Sequence, residues 1–228
     1  MTFFLFILSI AVAAAQAQPA MLTDSKDGKK SVPRTERDGQ DGWKLGKLDG
    51  VSLADVVTTF VDDRDGKKYK AVRIGTQVWM AENLNYDASG SVCYKNDSAN
   101  CEKYGRLYNW KTAMKACPVG FHIPTRLELN ELMDYVCGEK GACKKLSNKS
   151  GWNKDGNGTD DYGFSALPGG AVFHDDSFGV GDIGYWWSSS KDYSGLAHHF
   201  QGMGYGDKLD YDNHNENEWF FSVRCVQD

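Results

Sequence analysis

The run Phe220-Phe221-Ser222-Val223-Arg224-Cys225-Val226 limits what this chain can fold into more than any other stretch. Aromatic and β-branched residues around a cysteine, so near the last residue, need a sheet to pair with and a bridge to pin them, because an unattached terminus frays. The remainder of the chain is therefore expected to supply both the sheet and a partner cysteine.

Six cysteines are present, Cys93, Cys101, Cys117, Cys137, Cys143 and Cys225. An even number in a chain that looks exported reads as disulfides, and spacing alone does not choose among the pairings. Zinc is the competing chemistry. It is disfavoured because there is no Cys-x-x-Cys pair and no histidine at ligand spacing beside a cysteine.

Export is read from the start of the chain. Residues 2–15 are almost wholly apolar and Ala15-Gln16-Ala17 is a small-x-small site, so 1–17 is expected to be a signal peptide cut after Ala17. No Lys or Arg precedes the apolar run, which leaves room for a start upstream of Met1. A membrane anchor would need ~20 apolar residues, and no cysteine follows at which a lipid could be attached, so no span is expected after cleavage. From Thr23 to Gly50 the only larger apolar residues are Val32, Trp43, Leu45 and Leu48. Such a segment buries too little to offset the entropy of ordering, and 18–55 is read as a flexible tether. With 26 basic against 31 acidic residues the net charge is −5, which argues against nucleic acid as a partner.

The folded domain is expected from Val56 to Asp228. Val61, the turn Asp63-Arg64-Asp65-Gly66, the alternation from Tyr69 to Ile74, and Gly75-Thr76-Gln77 before Val78-Trp79-Met80 predict a β-meander. Leu107, Trp110, Met114 and Cys117 fall on one stripe at helical spacing and predict a first helix. Thr125-Arg126-Leu127-Glu128 is a capping box for a second, with Leu129, Leu132, Met133 and Val136 inward and Gly138 as the stop. Short strands are expected at Gly163–Leu167, Ala171–Phe173, Tyr185–Trp187, Ala197–Phe200 and the terminal run. Strands, two helices and more strands amount to an α+β domain, mainly antiparallel.

Six segments carry a family resemblance: Trp79-Met80-Ala81-Glu82-Asn83-Leu84-Asn85-Tyr86, Tyr104-Gly105-Arg106-Leu107-Tyr108-Asn109-Trp110, Cys117-Pro118-Val119-Gly120-Phe121-His122-Ile123-Pro124-Thr125, Tyr162-Gly163-Phe164-Ser165-Ala166-Leu167-Pro168-Gly169-Gly170, Gly184-Tyr185-Trp186-Trp187-Ser188-Ser189-Ser190 and Phe221-Ser222-Val223-Arg224-Cys225-Val226. In this order the chain resembles the Fibrobacter succinogenes major paralogous domain family from about Val61 onward. The resemblance implies an exported bacterial protein and leaves its biochemistry open. The ending is also similar to C-type-lectin-like and sulfatase-modifying-factor-like folds, a likeness of fold alone. That likeness implies a Cys117–Cys225 bridge, with Cys93–Cys101 and Cys137–Cys143 as local staples.

Catalytic signals are thin. His122, His174, His198, His199 and His214 form no metalloprotease pattern, and no nucleophile elbow or phosphate loop occurs. His122 reads as a hydrogen-bonded core residue, and His174-Asp175-Asp176 as a weak candidate for a metal or an oriented base. Two loops have the alternating oxygens that calcium takes: Asp155, Asn157 and Asp161 in one, Asp210 and Asp212 in the other. The first is not an EF-hand, because Asp160 replaces the glycine and Ala166 the bidentate glutamate; for both loops, solvated turns are the bland alternative. Trp186, Tyr205 and Tyr211 are the candidate rings for stacking a sugar, against the alternative that the Tyr185-Trp186-Trp187 strand is all core. These readings combine into a ligand face made of loops 155–162, 173–182 and 203–218. The leading expectation is a non-catalytic binding module for polysaccharide or another surface protein, with calcium as its candidate cofactor. The alternatives are a hydrolase of an extracellular polymer, acting through Asp175, Asp176, Asp207 and Asp210, and a purely structural surface protein.

Overall fold

The computed structural model describes residues 57–137, 144–203, 206–214 and 218–228, with the backbone alone at 57, 137, 200, 203 and 206–214. All of these residues lie in the unit Leu48–Asp228.

Val57–Val61 (β1), Lys68–Ile74 (β2) and Gln77–Met80 (β3) form an antiparallel meander, with Val61 opposite Lys68 and Ile74 opposite Gln77. Its first turn is held by Asp62, buried to 1% exposure, which takes Arg64 Nε at 2.8 Å and Nη2 at 2.6 Å. Alternation along β2 sends Tyr69 to one side of the sheet, while Val72 and Ile74 pack on the other against Leu129, Leu132, Met133 and Val136. Those four belong to the helix Arg126–Cys137 (α3), whose capping box closes as expected: Thr125 Oγ1 accepts from Glu128 N at 3.2 Å and Glu128 Oε2 accepts from Thr125 N at 2.7 Å.

The terminal run is two strands rather than one. Trp219–Ser222 (β12) pairs with Leu107–Asn109 (β5) and with Ala171–Phe173 (β7), whereas Val226–Gln227 (β13) pairs with β3 and with Phe121–His122 (β6). Between them Val223, Arg224 and Cys225 are at most 1% exposed and cross from one sheet to the other. Leu84 N donates to Val223 O at 2.8 Å and Met80 N to Cys225 O at 3.0 Å, so the crossing is held by main-chain bonds at both of its ends. One sheet then runs β1-β2-β3-β13-β6. The other is built on the order β11-β10-β9-β12-β5-β4, where Ser91–Val92 is β4, Ile183–Lys191 β9, Ala197–Met203 β10 and Gly206–His214 β11, with Asp176–Phe178 (β8) reached through β7. Every named strand pair is antiparallel except β9 with β12. Among the described residues the class is mixed α+β, mostly antiparallel, with few helices.

Two bridges tie this together. Cys117 and Cys225 are disulfide-bonded with Cα atoms 5.9 Å apart, and Cys93 and Cys101 with Cα atoms 5.1 Å apart. The Cys137–Cys143 pairing lies outside the described residues, as do residues 1–55 and Gly138.

Three expectations are corrected. The Leu107–Cys117 stripe is no single helix: Leu107–Asn109 is β5, and Asn109 Oδ1 caps the short helix Trp110–Ala113 (α2) by accepting from Thr112 N at 2.8 Å. Met114, on the supposed inner stripe, is 41% exposed. Pairing with β12 satisfies the Leu107–Asn109 backbone better than a helix that Asn109 interrupts. A further helix, Ser98–Tyr104 (α1), lies where no helix was expected; Asp97 Oδ1 caps it by accepting from Ala99 N, and Gly105 at φ 79° ends it. Finally, Gly163–Leu167 is not a strand, since Ser165 sits at φ 53° and only Ala166 makes an isolated bridge, to Ser147.

Candidate functional site

Loop 114–123 and the end of β9 enclose a half-open cleft of about 340 Å³, lined by Met114, Lys115, Cys117, Phe121, His122, Ile123 and Ser189. The Cys117–Cys225 bridge holds its wall to the terminal segment. Phe121 is braced from behind by Phe60, stacked at 4.5 Å. Ser189 is fixed by its main chain, whose N donates to Pro124 O at 2.9 Å. Its hydroxyl and the Lys115 ammonium have no partner among the described residues.

His122 is the charged centre of the cleft. Its Nδ1 lies 2.7 Å from Asp228 Oδ1 and its Nε2 2.8 Å from Glu128 Oε1, and its side chain is 39% exposed. Burial pulls its pKa down, but the hydrogen bonds to Asp228 and Glu128 outweigh burial, and the pKa is raised. A carboxylate on each ring nitrogen favours the imidazolium form, which can donate one proton to each. Glu128 is pulled up by burial and down by its Thr125 and His122 hydrogen bonds, with a lowered pKa as the outcome.

Polar groups from several of the sequence segments meet at one buried cation. Arg224 is 1% exposed and donates Nη2 to Asn83 Oδ1 at 2.7 Å, Nε to the same oxygen at 3.2 Å, Nη2 to Ser165 O at 3.3 Å, and Nη1 to Phe164 O. Its guanidinium lies 4.3 Å over the Phe164 ring. Asn83 Oδ1 also takes Trp186 Nε1 at 2.8 Å, and Asn83 Nδ2 reaches Tyr104 O at 2.8 Å. Desolvation pushes the Arg224 pKa down to about 9, opposed by the charges of Asp160 and Glu82, so the group stays a cation at neutral pH. Five of the six sequence segments thus contribute to one polar knot inside the fold, with the Fibrobacter succinogenes major domain model matching residues 72–227. The chain belongs to that family. No curated protein and no solved structure matches it.

In this Fibrobacter succinogenes major domain the residues expected to bind ligand are not assembled in one place. Trp186 is 3% exposed, with Gly202 and Trp152 packed about its edge, so it is core and offers no ring face to a sugar. Tyr205 lies outside the described residues. Tyr211, Asp210 and Asp212 are in β11, opposite Phe200, Gln201 and His199 respectively, and only their backbone is described. In the 155–161 loop Asn157 Oδ1 is taken by Trp152 N at 3.0 Å and Asp155 O by Lys144 Nζ at 2.6 Å, while Asp155 and Asp161 are exposed. Among the described residues no three His, Cys, Asp or Glu side chains converge to hold an ion. Loop 173–182 is tied to the residues just ahead of loop 155–162, through Asn153 N on Gly181 O at 2.7 Å. The exposed Asp175 lies in the β7–β8 turn and the exposed Asp176 opens β8; His174 N ties this turn to Glu218 O at 3.1 Å. His199 is wholly buried, packed on Tyr185 and Phe221. Lys115 and Ser189 carried no signal in the sequence, since an isolated lysine and one serine of three in a row look like surface. The bridge between Cys117 and Cys225 was the only hint that their neighbourhood is rigid.

Proposed function

We propose that this domain is a non-catalytic binding module working outside the cell, of C-type-lectin-like fold, with polysaccharide as its ligand. Two disulfides suit an oxidising, extracellular environment, and among the described residues no helix is long and apolar enough to cross a membrane. The lectin-like reading is supported by a last segment that joins two sheets and is bridged to a cysteine following a helix.

One observation carries the non-catalytic part: both ring nitrogens of His122 are committed to carboxylates. A general base for Ser189 needs a free ring nitrogen, and none is left. Glycoside hydrolysis by a carboxylate pair needs a gap between them that admits substrate and water; between Glu128 and Asp228 the His122 ring fills it. What remains free in the cleft, an ammonium, a hydroxyl and an apolar floor, is binding chemistry.

The test is retention of the full chain on a panel of insoluble and immobilised polysaccharides, with and without a chelator, alongside reducing-sugar release. Retention without release supports the reading. Release of reducing ends favours the hydrolase, and no retention on any polysaccharide leaves a surface protein or a structural role ahead. Loss of retention with chelator would show that a divalent cation supports binding.

A further inference from the structure

We infer that the cleft beside Cys117 seats one carboxylate-bearing sugar residue, so that the polymer recognised is an acidic polysaccharide built on uronate units. This rests on the binding-module reading and names its ligand class.

The argument begins with what is still available for bonding. His122 offers a ligand no ring nitrogen, because Asp228 and Glu128 occupy both of them at 2.7 and 2.8 Å. The main-chain N of Ser189 is bound to Pro124 O. Of the other side chains that line the cleft, Lys115 and Ser189 are polar and have no partner among the described residues, and Phe121, Ile123, Met114 and Cys117 are apolar. A ligand matched to this set has one anionic oxygen pair for the ammonium, a hydroxyl for the serine, and an apolar face for the phenyl ring. A pyranose uronate has all three on one ring. A neutral hexose lacks the first and leaves the Lys115 charge unanswered. An aliphatic carboxylate lacks the second.

Size and charge point the same way. About 340 Å³ is at the small end of ligand pockets and accommodates a single sugar residue while the chain continues into solvent through the open side. The protein's net charge of −5 opposes an acidic polymer at long range, so recognition is a short-range contact at Lys115 and is not electrostatic steering. Lys115 is exposed, whereas Phe121 is half-buried and stacked on Phe60.

The experiment titrates the full-length, 15N-labelled protein with a galacturonate tetramer and, separately, with a cellotetraose of equal length, following backbone amides. The expected result is that the acidic tetramer shifts Lys115, Phe121 and Ser189 and binds at least about fivefold more tightly than the neutral one. Lys115→Met should remove that preference while the thermal midpoint stays unchanged, and Lys115→Arg should retain it. Equal or tighter binding of cellotetraose, or shifts confined to another face, overturns the uronate assignment and leaves the binding-module reading standing. The same holds if neither tetramer binds but some polysaccharide in the retention panel does. If nothing in either experiment binds, both readings fall together.

Discussion

Arg224 shows how far a single side chain can tie a fold together. A buried guanidinium without a touching carboxylate is tolerated here because amide oxygens from Asn83, Phe164 and Ser165 receive its donors and Phe164 gives it a ring face. Removing it orphans those oxygens in the core. Arg224→Met is expected to lower stability by roughly 2–4 kcal/mol, read from the urea midpoint, and Arg224→Lys to recover little, since one ammonium cannot span the same fork. Lysine at wild-type stability would mean that charge alone matters at this position. His122 makes a different, pH-dependent contribution. Its folded pKa lies above the unfolded value, so the contribution is fully present below about pH 6.5 and is lost as pH rises through the folded pKa. Imidazole proton shifts should titrate above the free-histidine range, and Asp228→Asn or Glu128→Gln should each lower the midpoint. A histidine titrating at or below 6.5 in the wild type would contradict the doubly bonded geometry.

Elements in this chain are decided by their ends as much as by their periodicity. The apolar stripe Leu107, Trp110, Met114 and Cys117 has helical spacing, yet Asn109 starts a new helix within it and hands Leu107–Asn109 to the sheet. Asn109→Ala should cost about 1 kcal/mol in the urea midpoint through loss of the cap on Thr112 N, and the effect should vanish in Asn109→Asp, which keeps an acceptor. α1 was overlooked for the opposite reason. Its seven residues, Ser98 to Tyr104, hold too few apolar letters to show a stripe, and it is stabilised by the Asp97 cap, the Gly105 stop and the Cys93–Cys101 bridge. Glycines also act at this scale: a Cβ at Gly184 would stand 2.2 Å from the Trp186 ring, so β9 can enter the sheet only with glycine there.

For the molecule as a whole, the crossing segment Val223–Cys225 joins two sheets, and its bridge ties it to Cys117, which lines the cleft. The bridge spans 108 residues and the Cys93–Cys101 bridge 8. In the chain-entropy account, replacing Cys117 and Cys225 by serine should cost ~4.7 kcal/mol and replacing Cys93 and Cys101 ~2.6 kcal/mol, so the two double variants should unfold about 2 kcal/mol apart. Equal losses would show that strain or residual structure outweighs loop length. The meander, the Thr125–Glu128 capping box, the inner face of α3 and the need for disulfides were legible in the sequence, because each is set by residues within a few positions of one another or by composition. The family was legible too, in its ordered segments. What those segments are for was not. Asn83 and Arg224 are 141 positions apart, His122 and Asp228 106, and their hydrogen bonds exist only once β13 lies against β3 and β6. Trp186 illustrates the same limit: strand alternation leaves either face open, and burial against Trp152 and Asn83 decides it. Local hydrogen bonding and periodicity are written along the chain, whereas the cleft at Lys115, Phe121 and Ser189 is a product of which distant segments the two sheets bring together.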